Sequence, residues 1–411
     1  MGAYLSSPIT DKEVFEGDGH GLRFGGGAMQ GWRRTMEDAH VAEVNVANDP
    51  NVAMFGVFDG HGGAEVAKFC QKYMAAELQR FEEFGKGSVE DSLVKVFHRM
   101  VRSRGPCILQ VLFRVIPQGW AGCLGARTQG FRENMPAMSP APRLGLHALQ
   151  DEMLRDQRYA EELEKLKSKE SNEDEGEGEG GGVSTTDALD LLRRVFQLKR
   201  FVGGNSNSMG EGGSSEEPAE SPEEELVQAG CTAVVAVKFG NELFVANAGD
   251  SRGVLCRAGK AVALSEDHKP AQEGERSRII AAGGFLSEIG GVCRVNGNLN
   301  LSRAIGDLKY KTNNELPPSD QIITAQPDIR KIALSPEDRF FLLACDGVWD
   351  VMSNQDAVDF VSARLDQGMT PSQASCALLD ACLASDPKEA RGVGCDNMTV
   401  VVVQLNSPSS S

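Results

Sequence analysis

The sequence lacks the features that typify membrane, secreted and nucleic-acid-binding proteins. No run approaches the roughly 18 apolar residues of a membrane span, and no apolar signal segment stands at the N-terminus. The ten cysteines include no CxxC pair, so we expect reduced core residues of a cytoplasmic protein. Basic residues are outnumbered, and the formal net charge of -17 argues against nucleic acid and against broad binding to an anionic bilayer.

Strand patterns dominate the second half of the chain. With 411 residues and 41% apolar content, the chain can bury a large core. Between residues 229 and 405, five apolar runs read as strands joined by short turns: TAVVAVKF, NELFVANA, RGVLCRAG, RFFLLACD and MTVVVVQL. Helical spacing of apolar residues predicts a helix over 64–81, and further helices are expected near 271–282 and 371–384.

An arginine-rich segment, residues 101–150, interrupts this pattern. It contains six Arg, one Glu, and neither Lys nor Asp. Its flanks read as two halves of one helix, because deleting it joins the apolar residues on either side into one stripe: Leu93, Val96, Phe97, Met100, Met153 and Leu154. The segment begins with Val, whose codons start GT, and ends with Gln, which CAG can encode. It is therefore expected to be a retained intron, with a family-specific insertion as the alternative; sequencing the transcript separates the two.

Three further segments are expected to lie outside the packed core. Residues 170–226 contain acidic loops rich in Gly, Ser and Glu, which read as surface insertions or, alternatively, as partner-binding loops. Residues 406–411 read as a disordered tail. Residues 1–19 read as an N-terminal segment, in which Gly2 and Ser6 fit the pattern for N-myristoylation and hence for reversible, peripheral membrane attachment.

Acidic residues recur where apolar strands end. MFGVFDGHGG, for example, places Asp59 directly after a strand, and two adjacent acids stand in MQGWRRTMEDAH. If the strands share one sheet system, these ends converge, and converging carboxylates repel each other unless a cation neutralises them. The acids are Glu37, Asp38, Asp59, Asp250, Asp307, Asp346 and Asp396.

The ligand type narrows the choice of cation. Oxygen donors without cysteine or paired histidine favour Mg²⁺ or Mn²⁺ over zinc or copper. One carboxylate can bridge two such ions about 3.5–4 Å apart, the arrangement used for phosphate ester hydrolysis. A single Asp at a strand end is also common in turns and caps, so the hypothesis depends on the set as a whole.

Eight motifs, in order, resemble those of the metal-dependent protein phosphatases, the type 2C serine/threonine phosphatase family: MQGWRRTMEDAH, FGVFDGHGG, GCTAVVAV, FVANAGDSRGVLCRAG, EDHKP, RVNGNLNLSRAIGD, ACDGVWDVM and GCDNMTVVVV. The resemblance implies an α+β fold, a four-layer α-β-β-α sandwich of two antiparallel sheets flanked by helices. The catalytic domain is expected over residues 20–405.

The resemblance also implies roles for individual residues. Asp59 matches the carboxylate that bridges both metals, and Gly60 a ligand through its carbonyl; Asp307, Asp346 and Asp396 match further metal carboxylates. Glu37 and Asp38 match acids that act largely through metal-bound water. Asp250 with Asp307 matches the place where a weaker third ion can sit. Arg33 matches the arginine that grips the substrate phosphate.

The expected reaction is hydrolysis of phosphoserine and phosphothreonine in proteins. A hydroxide bridging two Mg²⁺ or Mn²⁺ ions would attack phosphorus directly, without a phosphoenzyme, and His61 is the candidate general acid. The histidine could instead only orient a carboxylate or water, and His268 is expected to be structural. The partners are phosphoproteins, and the protein is expected to be a monomer. The alternatives are a phosphoprotein-binding pseudophosphatase or an inactive splice form on the same fold.

Overall fold

The computed structural model describes residues 4–101 and 229–405, which belong to one structural unit. The first range contains β1 (Ile9–Gly19), β2 (Leu22–Gly31), β3 (Ala39–Val44), β4 (Val52–Phe58), β5 (Gly60–His61), α1 (Glu65–Leu78), α2 (Glu82–Gly85) and α3 (Val89–Met100). The second contains β6 (Gly230–Cys231), β7 (Ala233–Phe239), β8 (Glu242–Ala248), β9 (Arg252–Arg257), β10 (Lys260–Ala263), α4 (Glu273–Ala281), β11 (Leu286–Ile289), β12 (Val292–Val295), β13 (Ile305–Gly306), β14 (Asp328–Ala333), β15 (Asp338–Ala344), α5 (Asp346–Trp349), α6 (Asn354–Asp366), α7 (Pro371–Cys382) and β16 (Met398–Gln404).

Two antiparallel sheets form the centre of the described structure. The first has six strands in the order β1-β2-β16-β15-β9-β10, and the second has five in the order β14-β8-β7-β4-β3. Two smaller elements accompany them: the hairpin β11-β12 and a short three-stranded sheet in the order β13-β6-β5. In the short sheet, β6 lies between β5, which contains His61, and β13, which ends directly before Asp307.

The period-two alternation of the strands explains the continuous apolar runs in the sequence. In β15, Phe341 and Leu343 face the space between the two sheets, whereas Phe340 and Leu342 face helices on the outer side. A strand that is buried on both faces needs apolar residues at every position. The runs that suggested strands in the sequence are therefore the inner strands of a sandwich.

Helices cover the outer face of each sheet. Helices α1 and α3 pack on the five-stranded sheet, where Phe69 and Phe97 belong to the same buried cluster as Met54 of β4. Helices α6 and α7 cover the six-stranded sheet through residues such as Val358 and Leu378. The expected four-layer α-β-β-α sandwich is confirmed.

Several boundaries differ from the expectations. The six-stranded sheet begins at Ile9, because β1 pairs with β2 along its length, so the sheet extends into the expected N-terminal segment, residues 1–19. Helix α6 was not foreseen, although its N-cap signal is present in the sequence: the Ser353 hydroxyl accepts a hydrogen bond from the Asp356 backbone N–H. The expectations for the arginine-rich segment beyond Val101, for the acidic loops and for the tail fall on residues 102–228 and 406–411, which lie outside the described residues.

A fourth, smaller buried cluster involves helix α4 and the hairpin β11-β12. Helix α4 and the hairpin β11-β12 pack around Ile279, Val295 and Leu301. Within it Glu275, 5% exposed, binds Arg278 at 2.6 Å and Arg303 at 2.7 Å. This buried charge network supports the segment around Leu301 that borders the candidate site.

Candidate metal centre

A cleft of ≈ 250 Å³ lies where the inner strands end. Asp59 follows β4 directly, Asp346 follows β15 after one residue, and Asp396 stands two residues before β16. Eight of the ten predicted site residues line this cleft: Arg33, Glu37, Asp59, Gly60, His61, Asp250, Asp346 and Asp396. The other two, Asp38 and Asp307, lie beneath its surface, each 7% exposed or less.

Asp38 and Asp59 lie close together in the acidic cluster. Their carboxylate oxygens and the Cys345 sulfur lie within 4.8 Å of one another. One Asp38 oxygen accepts a hydrogen bond from Thr399 Oγ1 at 2.8 Å, but Oδ1 is buried without a hydrogen-bond partner. Burial raises the pKa of Asp38 to about 7. An orphaned buried carboxylate oxygen of this kind is a donor for a cation.

The remaining carboxylates reinforce this need for positive charge. Burial and the Asp346 carboxylate raise the pKa of Asp59 well above its usual range, and burial and Asp250 do the same for Asp346. Burial also raises the pKa of Asp396, against the opposing effect of Arg33. Together these groups favour binding of divalent cations, which would allow all of them to be ionised. Cys345 is unsuited as a ligand, because burial raises the pKa of its thiol well above the usual value.

Gly60 lies where no side chain fits. A Cβ at this position would stand 2.2 Å from the backbone carbonyl oxygen of Glu37. The Glu37 side chain is itself held in place, because Oε1 accepts from Thr35 Oγ1 at 2.8 Å and Oε2 from the Gly63 N–H at 3.1 Å. The close approach of the two chain segments keeps the Gly60 backbone at the cleft.

Asn397 was missed in the sequence reasoning although it follows Asp396 in a recognised motif. Its Oδ1 accepts from the Glu37 N–H at 2.9 Å, and its Nδ2 donates to the carbonyls of Gln30 and Thr35, each at 2.9 Å. The side chain thereby fastens the loop that carries Arg33, Glu37 and Asp38 to the start of β16. A sequence shows an amide next to the acid but not which backbone groups it binds.

Arg33 reaches the cleft through an ion pair. One Nη atom donates to Asp396 Oδ2, and about half of the Arg33 side chain is exposed. Burial opposes the charge, but Asp396 outweighs it and raises the pKa of Arg33. The remaining guanidinium N–H groups can bind an anion in the cleft.

His61 and Asp307 form a pair across the short sheet. His61 Nε2 lies 2.7 Å from Asp307 Oδ2, and the Asp307 side chain is 1% exposed. Both His61 and Gly306 are paired with Gly230, and a Cβ at Gly230 would lie 2.6 Å from His61 Nε2 and closer still to Asp307 Oδ2. Asp307, expected as a direct metal carboxylate, thus directs one oxygen to the histidine instead of the cleft.

Asp250 also has a partner that the sequence reasoning missed. Lys269 Nζ donates to Asp250 Oδ2 at 2.5 Å. The expected structural role of His268 agrees with its contacts, since Nδ1 accepts from the Gly249 N–H at 3.2 Å and Nε2 lies 3.1 Å from Asp328 Oδ2. Lys269 stands in the quoted motif EDHKP, but nothing in that motif indicates a contact with an acid 19 residues earlier.

In the described part of the chain, every helix is too short or too polar to cross a bilayer. Gly2, the predicted site of myristoylation, lies outside the described residues.

Comparison with known structures shows the same fold. A solved phosphatase from Toxoplasma gondii matches with a TM-score of 0.53 at 22% identity, covering 98% of each chain. A serine-threonine phosphatase 2C from Toxoplasma gondii matches with a TM-score of 0.52 at 20% identity, again covering 98% of each chain.

Comparison of sequences identifies the family. The family model described as Protein phosphatase 2C matches residues 22–104 and 153–390, and the unmatched stretch between them contains most of the arginine-rich segment. "Probable protein phosphatase 2C 11" of Oryza sativa subsp. japonica is 40% identical over 410 residues, covering 99% of this chain and 92% of the relative. "Probable protein phosphatase 2C 60" of Arabidopsis thaliana is 38% identical over 418 residues, covering 100% of this chain and 94% of the relative. The chain therefore belongs to the protein phosphatase 2C family, the metal-dependent protein serine/threonine phosphatases.

Proposed function

We propose that the cleft around Asp59 is the catalytic centre at which phosphoserine and phosphothreonine of protein substrates are hydrolysed with two Mg²⁺ or Mn²⁺ ions. The observation that carries this proposal is the buried acidic cluster, in which Asp38 Oδ1 has no hydrogen-bond partner and Asp59 lies among carboxylates that raise its pKa. Membership of the protein phosphatase 2C family implies metal-dependent phosphate ester hydrolysis, and the acidic cluster is where the metal ions for this reaction would bind.

The residues of the cleft suit hard divalent cations. Asp59, Asp346 and Asp396 would hold the ions directly together with the Gly60 carbonyl, and the two adjacent acids before β3 would act largely through water. When bound, the ions would neutralise these acids and the phosphoryl oxygens and supply an activated water. The cleft offers only oxygen donors at these positions, which favours Mg²⁺ and Mn²⁺ over softer metals.

Arg33 would bind the phosphoryl group of the substrate. Its pairing with Asp396 orients the planar guanidinium toward the cleft, and its other N–H groups are suited to two phosphate oxygens. Because the charge on these oxygens is distributed further in the transition state, a fixed guanidinium would lower the barrier as well as hold the substrate.

His61 would deliver the proton to the departing serine or threonine oxygen. Asp307 binds Nε2 and fixes the ring, which leaves Nδ1 to exchange a proton with the leaving group. Asp307 would therefore act on the reaction through His61, in addition to the metal role that the family resemblance implies.

Two finer statements accompany this proposal. We propose that Gly2 carries an N-myristoyl group that gives reversible membrane attachment to an otherwise cytoplasmic monomer, supported by the Gly2 and Ser6 pattern. Mass spectrometry of the protein from eukaryotic cells tests this, and an unmodified Gly2 contradicts it. We also propose that residues 101–150 form an insertion absent from the family pattern, supported by the break in the family match after residue 104.

The test is release of phosphate from a phosphothreonine peptide with and without Mn²⁺. Outer-shell partners of a metal typically account for about 10- to 100-fold in activity, so loss of a shared ligand in Asp59→Asn should lower the rate by about 100-fold or more. Asp18→Asn, at an exposed position of β1, is the matched control and should keep the rate. Equal rates for wild type and Asp59→Asn would refute the catalytic proposal, and peptide binding without phosphate release would support the pseudophosphatase alternative.

A further inference from the structure

The backbone around Lys269 is fastened to the strand end that carries Asp250. The His268 N–H donates to the Gly249 carbonyl at 2.9 Å, and the Gly249 N–H donates back to His268 Nδ1 at 3.2 Å. Arg252 of β9 holds the preceding residue, Asp267, because its Nε and one Nη atom each donate to one oxygen of the Asp267 carboxylate at 2.8 Å. The residues directly before Lys269 are therefore fixed, and the Lys269 side chain extends from them toward Asp250.

The ammonium group of Lys269 is placed on the acidic cluster. Its Nζ binds Asp250 Oδ2, and the Asp250 side chain is 2% exposed. Burial opposes the charge on Lys269, but Asp250 outweighs it and raises the pKa of the lysine, with further contributions from Asp346 and Asp350. The Lys269 ammonium group is therefore a positive charge, supplied by the protein itself, within the acidic cluster.

This contact changes the expectation of a third metal ion. The family resemblance implied a weaker ion between Asp250 and Asp307, but each of these acids has a partner here: Lys269 for Asp250 and His61 for Asp307. An ammonium group is a compact point charge with three donors, so it can neutralise a carboxylate in the place of a metal ion.

We propose that Lys269 is a tethered cation that occupies the third-ion position at Asp250 and limits the centre to two tightly bound divalent ions. Lys269 is a positioning residue in this scheme, because it acts through Asp250 and the ions instead of touching the substrate. The inference rests on the proposed function, since it requires that the cleft bind metal.

Metal binding measured by calorimetry and by Mn²⁺ electron paramagnetic resonance tests the proposal independently of activity. Wild-type protein should bind two Mn²⁺ ions. Lys269→Met keeps the aliphatic chain but removes the charge, and we expect a third Mn²⁺ to bind on the order of tenfold more tightly than to wild type. Lys269→Arg keeps the charge and should retain two ions. Lys260→Met, at an exposed position of β10, is the matched control.

Two further variants make the result specific. Adding Asp250→Asn to Lys269→Met should remove the third ion again, and Lys269→Gln is the second variant if the methionine protein does not fold by circular dichroism. Three tightly bound ions in wild type, or no gain of affinity in a folded Lys269 variant without charge, would overturn the role of Lys269. Failure of wild type to bind any Mn²⁺ would instead overturn the proposed metal centre.

Discussion

Replacing Asn397 with alanine should uncouple the loop that contains Arg33 and Glu37 from the sandwich. Three hydrogen bonds of 2.9 Å are lost, one from the Glu37 N–H and two to the carbonyls of Gln30 and Thr35. Each is worth about 1 kcal/mol net, so Asn397→Ala should lower the free energy of unfolding by about 3 kcal/mol. For a domain of this size, a loss of 1 kcal/mol lowers Tm by about 2 °C, which gives a shift of roughly 6 °C.

The functional effect should exceed what the loss of stability alone would cause. Well below Tm the variant remains folded, but Arg33, Glu37 and Asp38 are less well fixed, so kcat/KM should fall by about 10- to 100-fold. Differential scanning calorimetry and phosphopeptide hydrolysis at saturating Mn²⁺ measure the two effects. Asn241→Ala, which removes one exposed hydrogen bond to Leu334, is the control. The reasoning is refuted if Asn397→Ala matches this control in both Tm and kcat/KM.

Two other substitutions test neighbouring features. Gly230→Ala should displace His61 from Asp307, because the new Cβ would lie 2.4 Å from Asp307 Oδ2. The kcat of this variant should drop about tenfold or more. Gly274→Ala is the control: its new Cβ would have no atom within 4 Å, so it should retain activity in the same assay. Unchanged kcat in Gly230→Ala would count against the His61 assignment. Glu275→Gln should cost roughly 3–5 kcal/mol at neutral pH, because Arg278 loses its carboxylate partner and Arg303 keeps only Asp328. Burial opposes ionisation of Glu275, but its arginine contacts outweigh burial and lower its pKa to about 2, so its stabilising contribution is present above the ordinary pKa of 4.5 and is lost as pH falls toward 2. Denaturation curves of wild type and variant that stay equally far apart across that range would contradict the assignment.

The sequence predicted the inner strands well because these strands are buried on both faces. Runs such as that in β15 have apolar residues at successive positions, which is visible without any knowledge of partners. Helix α6 was less visible, since only Ala357, Val358 and Val361 are buried along its 13 residues. β1 was overlooked for a similar reason: its residues are mostly exposed, and its place in the sheet comes from backbone pairing with β2.

The order of the motifs predicted which acidic residues lie at the cleft, but not which side chains each of them binds. Most of the expected residues line the cleft, because strand ends in a shared sandwich converge. The contacts of Asp307 with His61 and of Asp250 with Lys269 depend on approaches between segments that are distant in sequence. Such approaches are set by tertiary packing, so no local pattern could have indicated them.

The hydrogen bond from the Leu5 N–H to the Trp32 carbonyl, at 3.0 Å, fixes the start of the described chain next to the residue that precedes Arg33. Burial raises the pKa of Tyr4, and Arg33 lies close enough to this tyrosine to oppose that effect. Gly2 is two residues before Tyr4, and two residues of extended chain span at most about 7 Å. If the proposed acyl group is present on Gly2, it would be attached within this distance of Tyr4 and therefore near the segment that contains Arg33.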